Sequence, residues 1–118
     1  MSNFDEQRTK MALHHPAGWG LHETLACLIR KTLEREGANG LEHGDTDGLT
    51  PLHRAAMNGR PACVAMLLQA GASTKATHKY GATPLEEAIA WRIRLAFQKT
   101  PNRIADYDEC IRLLTPSL

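Results

Sequence analysis

The sequence has few aromatic residues, few cysteines and no excess of charge of one sign. Its 118 residues include two each of Phe, Trp and Tyr, and 14 Lys and Arg stand against 13 Asp and Glu. A net charge this close to zero gives no global reason to expect nucleic acid or an acidic membrane surface as the partner. No apolar run reaches about 18 residues, so the sequence predicts no membrane-spanning helix.

The cysteines and the first residues bear on the compartment. Three cysteines are an odd number, and residues 1–20 hold no apolar run long enough for a secretory signal. We therefore expect one cytoplasmic domain whose thiols stay reduced. Cys63 and Cys110 fall at equivalent positions on apolar stripes of predicted helices, where they should behave as small buried hydrophobic groups.

Residue patterns that carry catalysis are also missing. The sequence has no glycine loop that would cradle a phosphate, no pair of carboxylates in a setting that raises a pKa, and no nucleophile elbow. His53 has no nucleophile or acid beside it, and the nearest thiol, Cys63, lies on an apolar stripe. The sequence therefore predicts neither an enzyme nor a cofactor.

One eight-residue phrase occurs twice in the chain. Residues 48–55 read GLTPLHRA, and residues 81–88 read GATPLEEA, a shift of 33 positions. The Gly, Thr, Pro, Leu and Ala residues match without a gap. A repeat with this period indicates stacked helix-turn-helix units, which usually bind other macromolecules rather than catalyse a reaction.

The first copy and the residues after it specify two short helices. Thr50 is a helix N-cap, and Pro51 stands at the first helical position, where its missing N–H costs nothing. Gly59 ends this helix and Pro61 begins the next. Gly71 stands where a left-handed C-terminal cap belongs. The predicted apolar stripes are Leu52, Ala55 and Ala56 on the first helix and Cys63, Val64, Leu67 and Leu68 on the second.

These residues resemble an ankyrin repeat. The matching positions are Asp45, Gly48, Thr50-Pro51-Leu52-His53, Ala55-Ala56, Gly59, Cys63-Val64, Leu67-Leu68 and Gly71-Ala72. The resemblance implies an all-α solenoid of about three stacked helix-turn-helix units, in which a projecting turn links each unit to the next. It implies protein binding as the activity, and a structural role for His53, whose imidazole would tie the turn to the start of the helix. Glu86 takes that position in the next unit.

The resemblance divides the chain into a degenerate N-terminal cap unit (1–44), a full repeat (45–77) and a C-terminal repeat (78–118). In the last unit Arg92 replaces the glycine that stopped the earlier helix, so the helix from Pro84 should run to about Lys99. Thr83 and Glu86 predict a capping box at its start, and Thr100-Pro101 should end it. Residues 110–114, CIRLL, match residues 63–67, CVAML, at a shift of 47 positions, which is 14 more than the repeat period of 33. The unit thus carries a 14-residue insertion between its two helices.

The N-terminal unit departs most from the pattern. Residues 4–13 are a candidate for a partial first helix, with residues 16–18 as the break after it. A second helix is predicted from the stripe Leu21, Leu25, Leu28, Ile29, Thr32 and Leu33.

Partners of ankyrin-like proteins are met mainly by the turn tips and by the exposed side of each unit's first helix. By position, the resemblance assigns partner-binding roles to Thr46, Asp47, Leu49, Met57, Asn58, Lys79, Tyr80, Trp91 and Arg94. Within this set, we expect Met57, Lys79, Tyr80, Trp91 and Arg94 to form one edge of a protein-recognition groove, because aromatic, Met and Arg side chains are enriched at the centres of interfaces. Trp91 has a second interpretation, which is packing beneath the insertion.

Two other functions stay open at this point. The insertion carries Arg92, Arg94, Lys99 and Arg103 with few nearby acids, which would suit nucleic acid, although no aromatic stacking platform accompanies them. The histidines at 14, 15, 22 and 43 would suit a metal, but their spacing matches no established ligand pattern, and a solvated helix end accounts for them more simply. We predict no metal, and a monomer or weak homo-oligomer that binds a protein partner.

Overall fold

The computed structural model of the protein describes residues 13–98 and 103–116. Within these residues the chain forms six α-helices and one 3₁₀ segment, and no β-strand. The helices are α1 (His14–Trp19), α2 (His22–Glu36), α3 (Pro51–Met57), α4 (Pro61–Gln69), α5 (Pro84–Phe97) and α6 (Ile104–Leu114), and the 3₁₀ segment is Gly37–Glu42. None of these helices is both long and apolar enough to cross a membrane.

The helices are arranged in two layers. In one layer α3 packs between α1 and α5, and in the other α4 packs between α2 and α6. The molecule is elongated, with extents of 47 × 26 × 26 Å, as expected when helix pairs stack in a row instead of surrounding a central core. The predicted all-α solenoid is confirmed.

Capping residues start α3 and α5 at the predicted positions. The Thr50 hydroxyl accepts the N–H of His53, and the His53 ring accepts the N–H of Thr50, so α3 begins with a capping box. Thr83 and Glu86 exchange the same two bonds at the start of α5. Each box satisfies two N–H groups that the first turn of a helix leaves without partners.

Glycines in the left-handed conformation end α3 and α4. Gly59 has φ +64° and Gly71 has φ +101°. Beyond each glycine the N–H of the next residue bonds back to the helix, from Arg60 to the Ala55 carbonyl at 2.9 Å and from Ala72 to the Leu67 carbonyl at 2.9 Å. These are the long bonds of Schellman motifs, so the stop signals are as predicted.

The core lies between the two layers and combines small buried residues with larger apolar ones. Ala55, Ala56 and Ala88 are fully buried, which lets the first helices approach closely. Leu52, Val64 and Leu67 fill the space between the layers, and the predicted stripes of the full repeat therefore form its core.

The buried thiols lead to a prediction about reactivity. Burial raises the pKa of Cys63 and raises the pKa of Cys110 to about 12, whereas Cys27 is only half-buried. Since the thiolate is the reacting form, iodoacetamide at mildly alkaline pH should alkylate Cys27 and leave Cys63 and Cys110 unmodified. Mass spectrometry of tryptic peptides measures this, and the same labelling in concentrated urea should modify all three. Equal modification of the three cysteines in the folded protein would contradict the packing described here.

The last unit departs from the full repeat in the predicted way. α5 has 14 residues against seven for α3, and it ends at Phe97, two residues before the predicted end at Lys99. Lys99 and Thr100-Pro101 lie outside the described residues. On α6, Tyr107 and Leu114 are buried and Ile111 is half-buried.

The prediction for the N-terminal unit was partly wrong. Residues 16–18 do not break a helix; they lie inside α1, where Pro16 is the third residue. Proline is tolerated there because the N–H groups of the first turn have no partner within the helix. The break is Gly20, with φ +73°. Leu21 precedes α2 and is exposed, so it does not belong to the stripe of that helix. Residues 4–12 lie outside the described residues.

Candidate partner-binding surface

Two projecting turns, at residues 45–49 and 78–82, have the same backbone hydrogen bonds. The N–H of Asp45 bonds to the Leu49 carbonyl at 3.0 Å, and the N–H of His78 bonds to the Ala82 carbonyl at 3.2 Å. A glycine with positive φ follows each tip, Gly48 at +80° and Gly81 at +84°. The 33-residue register therefore extends to the shape of the turns.

The two turn tips are joined to each other. The N–H of Lys79 donates to the Asp47 carbonyl at 2.9 Å, and the Lys79 ammonium pairs with the Asp47 carboxylate at 2.9 Å. This bond raises the pKa of Lys79. The same ammonium lies 5.1 Å from the centre of the Tyr80 ring, which is 79% exposed. Thr46 is exposed beside them. Together Thr46, Asp47, Lys79 and Tyr80 form a continuous surface that we call the ridge.

His53 links the full repeat to the last unit. Its Nδ1 accepts from the N–H of Thr50, so the proton lies on Nε2 and is donated to the Ala82 carbonyl at 2.9 Å. The ring is fully buried. Burial lowers the pKa of His53, and the bond to Ala82 opposes that shift only in part. His53 thus ties its own turn and helix together, as expected, and also holds the following turn, which the sequence did not indicate.

The two turns are held by different bonded side-chain pairs at equivalent positions. Asp45 accepts the N–H groups of Asp47 and Leu49 and pairs with Arg54 at 2.6 Å. Burial tends to raise the pKa of Asp45, but these hydrogen bonds, led by that from Arg54, hold it below 3.8. At the equivalent positions 33 residues later stand His78 and Glu87, which are bonded at 2.7 Å with donor and acceptor reversed.

Through His78 the ridge is connected to α5. Nδ1 of His78 accepts from the N–H of Tyr80 at 2.9 Å, so its other nitrogen is the donor to Glu87. The second oxygen of Glu87 accepts from the indole N–H of Trp91 at 3.1 Å. This chain of hydrogen bonds fixes the position of the turn relative to the Trp91 ring.

Trp91 lines an open cleft on α5 together with Glu87, Ala90 and Arg94, with a volume of about 240 Å³. The Arg94 guanidinium lies 4.7 Å from the centre of the Trp91 ring, within the range of a cation–π contact. Trp91 is half-buried, and its hydrogen bond and cation contact are both with its own helix. The lining of this cleft therefore includes an aromatic ring and a guanidinium in contact with it.

Three of the predicted binding residues belong neither to the ridge nor to the lining of the Trp91 cleft. Leu49 is only 7% exposed, so the expectation of an accessible side chain there was wrong; the turn folds it inward. The Asn58 amide donates to the Arg54 carbonyl, which caps the end of α3. The Met57 carbonyl accepts from the Tyr107 hydroxyl at 2.6 Å, and the Met57 side chain is half-buried.

Two of the basic residues of the insertion bond to acidic or carbonyl groups of the same chain. Arg92 pairs with Asp108. Arg103 donates to the carbonyls of Asn58 and Gly59 at 2.7 and 2.6 Å and pairs with Asp106. Lys99 lies outside the described residues. This arrangement gives little support to the alternative of a nucleic-acid surface, which needs cations free to contact phosphates.

The four histidines considered for a metal do not lie together. His14 is buried and bonds to the Leu49 carbonyl at 2.7 Å, so describing it as part of a solvated helix end was wrong. His43 bonds to Glu36 at 3.2 Å, and His15 and His22 are exposed. Within residues 13–98 and 103–116, no three His, Cys, Asp or Glu side chains are grouped as metal ligands.

A set of exposed apolar residues on α5 was missed by the sequence analysis. Ile89, Ile93 and Phe97 are 40%, 50% and 83% exposed and lie four residues apart on one face. The repeat register contains the signal: Ile89 corresponds to Ala56, which is fully buried beneath the following unit. At the end of the stack this face has no following unit among the described residues.

Comparisons with known proteins agree with the geometry. The family model for ankyrin repeats in three copies matches residues 2–78 and 36–115. The crystal structure of the human ASB11 ankyrin repeat domain is similar, with a TM-score of 0.52 and 26% identity over 86% of this chain. The match covers 52% of that domain, so the chain spans about half its length. With paired helices stacked at a 33-residue period and a family model that matches nearly the whole sequence, the chain belongs to the ankyrin-repeat family.

Proposed function

We propose that this protein is an adaptor or inhibitor that binds a protein partner through the ridge and the adjoining Trp91–Arg94 cleft. Ankyrin repeats are generally protein–protein interaction modules, and the family membership supports that class of function. The observation that carries the proposal is the hydrogen-bonded path from Tyr80 through His78 and Glu87 to Trp91. It fixes the backbone at Tyr80 and the indole of Trp91 before any partner arrives, which lowers the ordering cost of association.

The same proposal includes the three-unit division at 1–44, 45–77 and 78–118. The pairs α1–α2, α3–α4 and α5–α6 support one helix pair in each unit. It also includes a cytoplasmic location, in keeping with three cysteines that form no disulfide.

Each of the two substitutions Tyr80→Ala and Trp91→Ala should abolish most of the binding to the partner. Residues at the centre of an interface contribute about 2 kcal/mol or more, so each substitution should weaken the affinity by about thirtyfold. The partner is captured from extract of the native host on immobilised protein, identified by mass spectrometry, and its affinity for each variant is then measured by calorimetry.

Phe97→Ala is the matched control for Tyr80→Ala, because Phe97 is an aromatic residue of similar exposure at the C-terminal end of α5. Its affinity for the partner should be unchanged, and circular dichroism should show all variants folded. Binding that survives in Tyr80→Ala and Trp91→Ala but disappears in Phe97→Ala would move the interface to the end of the stack and contradict the proposal.

A further inference from the structure

A second cleft lies between α1 and α3, separate from the ridge. Its volume is about 390 Å³, and its walls include His14, His15, Trp19, Arg54 and Arg60. This volume falls within the range of sites that hold a small ligand or one or two side chains. Among the described residues that line it there are two guanidinium groups and two imidazoles and no carboxylate.

The two arginines differ in how far their charge is compensated. Arg54 donates one nitrogen to Asp45 at 2.6 Å, so part of its charge is neutralised. Arg60 instead bonds through Nε to the Gly18 carbonyl at 3.1 Å, and within the described part of the chain it pairs with no acid. This bond spans from the start of α4 to α1, so it fixes the guanidinium at the wall of the cleft. Among the described residues, the charge of Arg60 thus has no acidic partner, and it is held in a defined position at the cleft.

Trp19 supplies an apolar wall to the same cleft. It is 65% exposed, and its ring lies 6.0 Å from the His15 ring. α1 is a short helix that buries His14, Pro16 and Ala17, so the packing of α1 does not require a large aromatic residue on its outer side. An exposed Trp next to a fixed arginine is the combination found at the energetic centres of protein interfaces.

We propose that this cleft binds an acidic side chain of a protein partner, with the carboxylate on Arg60 and Arg54 and a neighbouring aromatic group against Trp19. The inference rests on the proposed function and adds the chemical class of the partner segment. A planar carboxylate fits the fork of a guanidinium in a bidentate manner. The exposed indole suits the apolar neighbour that a peptide provides and a free inorganic anion lacks.

The test uses the full-length protein and a fluorescein-labelled peptide of alternating Glu and Tyr, whose binding is followed by fluorescence anisotropy. The matched peptide of alternating Gln and Tyr should bind at least tenfold more weakly, since a hydrogen bond to a charged group contributes about 1.5–3 kcal/mol. Arg60→Gln should weaken binding of the Glu-Tyr peptide by the same factor. Arg112→Gln, which removes an exposed arginine on α6 paired with Glu109, should leave it unchanged.

A second pair of variants provides a test that does not depend on whether Arg60→Gln folds. His15 is exposed, so His15→Glu should fold and place a carboxylate in the cleft, which should reduce binding at least tenfold. His15→Gln should have little effect. Equal binding of the two peptides, or equal loss in Arg60→Gln and Arg112→Gln, would overturn the proposal. Displacement of the peptide by inorganic pyrophosphate at the concentration at which unlabelled peptide competes would also overturn it, in favour of a small-anion site.

The outcomes separate this inference from the proposed function. A partner that loses affinity for Tyr80→Ala and Trp91→Ala but not for Arg60→Gln leaves the ridge proposal intact and overturns the acidic-segment proposal. If the Glu-Tyr peptide binds selectively but no captured partner loses affinity for Tyr80→Ala or Trp91→Ala, the acidic-segment proposal stands and the ridge proposal is overturned.

Discussion

Replacing His53 by alanine is expected to lower the free energy of unfolding by about 3 kcal/mol. The imidazole is fully buried and bonds on one side to the N–H of Thr50 and on the other to the Ala82 carbonyl. Alanine removes both bonds and leaves a cavity between two units. Urea denaturation followed by circular dichroism measures the change.

Glu86→Ala is the matched control for this substitution. Glu86 occupies the same position in the next unit and completes the same capping box, but it is exposed. Its loss should cost about 1 kcal/mol, the usual contribution of a cap. If the two alanine variants were equally destabilised, the bond from His53 to the following turn would contribute nothing.

The pH dependence of stability provides a second test of His53. Because burial lowers the pKa of His53 below 6.5, His53 of the unfolded chain binds a proton at pH values where His53 of the folded protein stays neutral. The stability due to the neutral ring is therefore fully present above pH 6.5 and is lost as the pH falls from there through the lowered pKa. The slope within that window is positive and at most about 1.4 kcal/mol per pH unit. His53→Gln keeps a capping side chain that does not titrate, and the difference between its stability curve and that of the wild type should show this slope. Parallel curves would contradict it.

Replacing Gly59 by alanine is also expected to cost about 3 kcal/mol. Gly59 has φ +64°, which any L side chain adopts with strain, and an added Cβ would lie 2.7 Å from the Tyr107 ring. The ring cannot easily move aside, because the Tyr107 hydroxyl is bonded to the Met57 carbonyl and Arg103 holds the Gly59 carbonyl.

Gly81→Ala separates the two causes. Gly81 has a similar φ of +84°, but a Cβ there would meet nothing within 4 Å. Its substitution should cost only the backbone strain, about 1 kcal/mol. Thermal and urea denaturation of both variants measure the difference. Equal destabilisation would mean that α6 moves away from Gly59 at no cost, contrary to the packing seen here.

The turns show how far a repeat register alone can be used. The register aligns Asp45 with His78 and Arg54 with Glu87. Asp45 bonds to Arg54 at the base of the first turn, and His78 bonds to Glu87 at the base of the second. The exchange of donor and acceptor could have been found from the sequence, since the residues stand at equal spacing. What the register did not contain was the indole of Trp91 as a further donor to Glu87, because the full repeat has Asn58 at that position.

The sequence by itself determined the class of fold, the helix starts at Thr50 and Thr83 and the stops at Gly59 and Gly71. The fold class follows from the 33-residue repeat, and the helix starts and stops depend on residues within five positions of one another, so local chemistry is sufficient to specify them. The tertiary structure alone decided that Leu49 and His14 are buried, that Arg92 and Arg103 are occupied, and that Trp19 and Arg60 share a cleft. These outcomes join residues 16 to 45 positions apart, and their contacts depend on how one unit packs against the next, which no local pattern encodes.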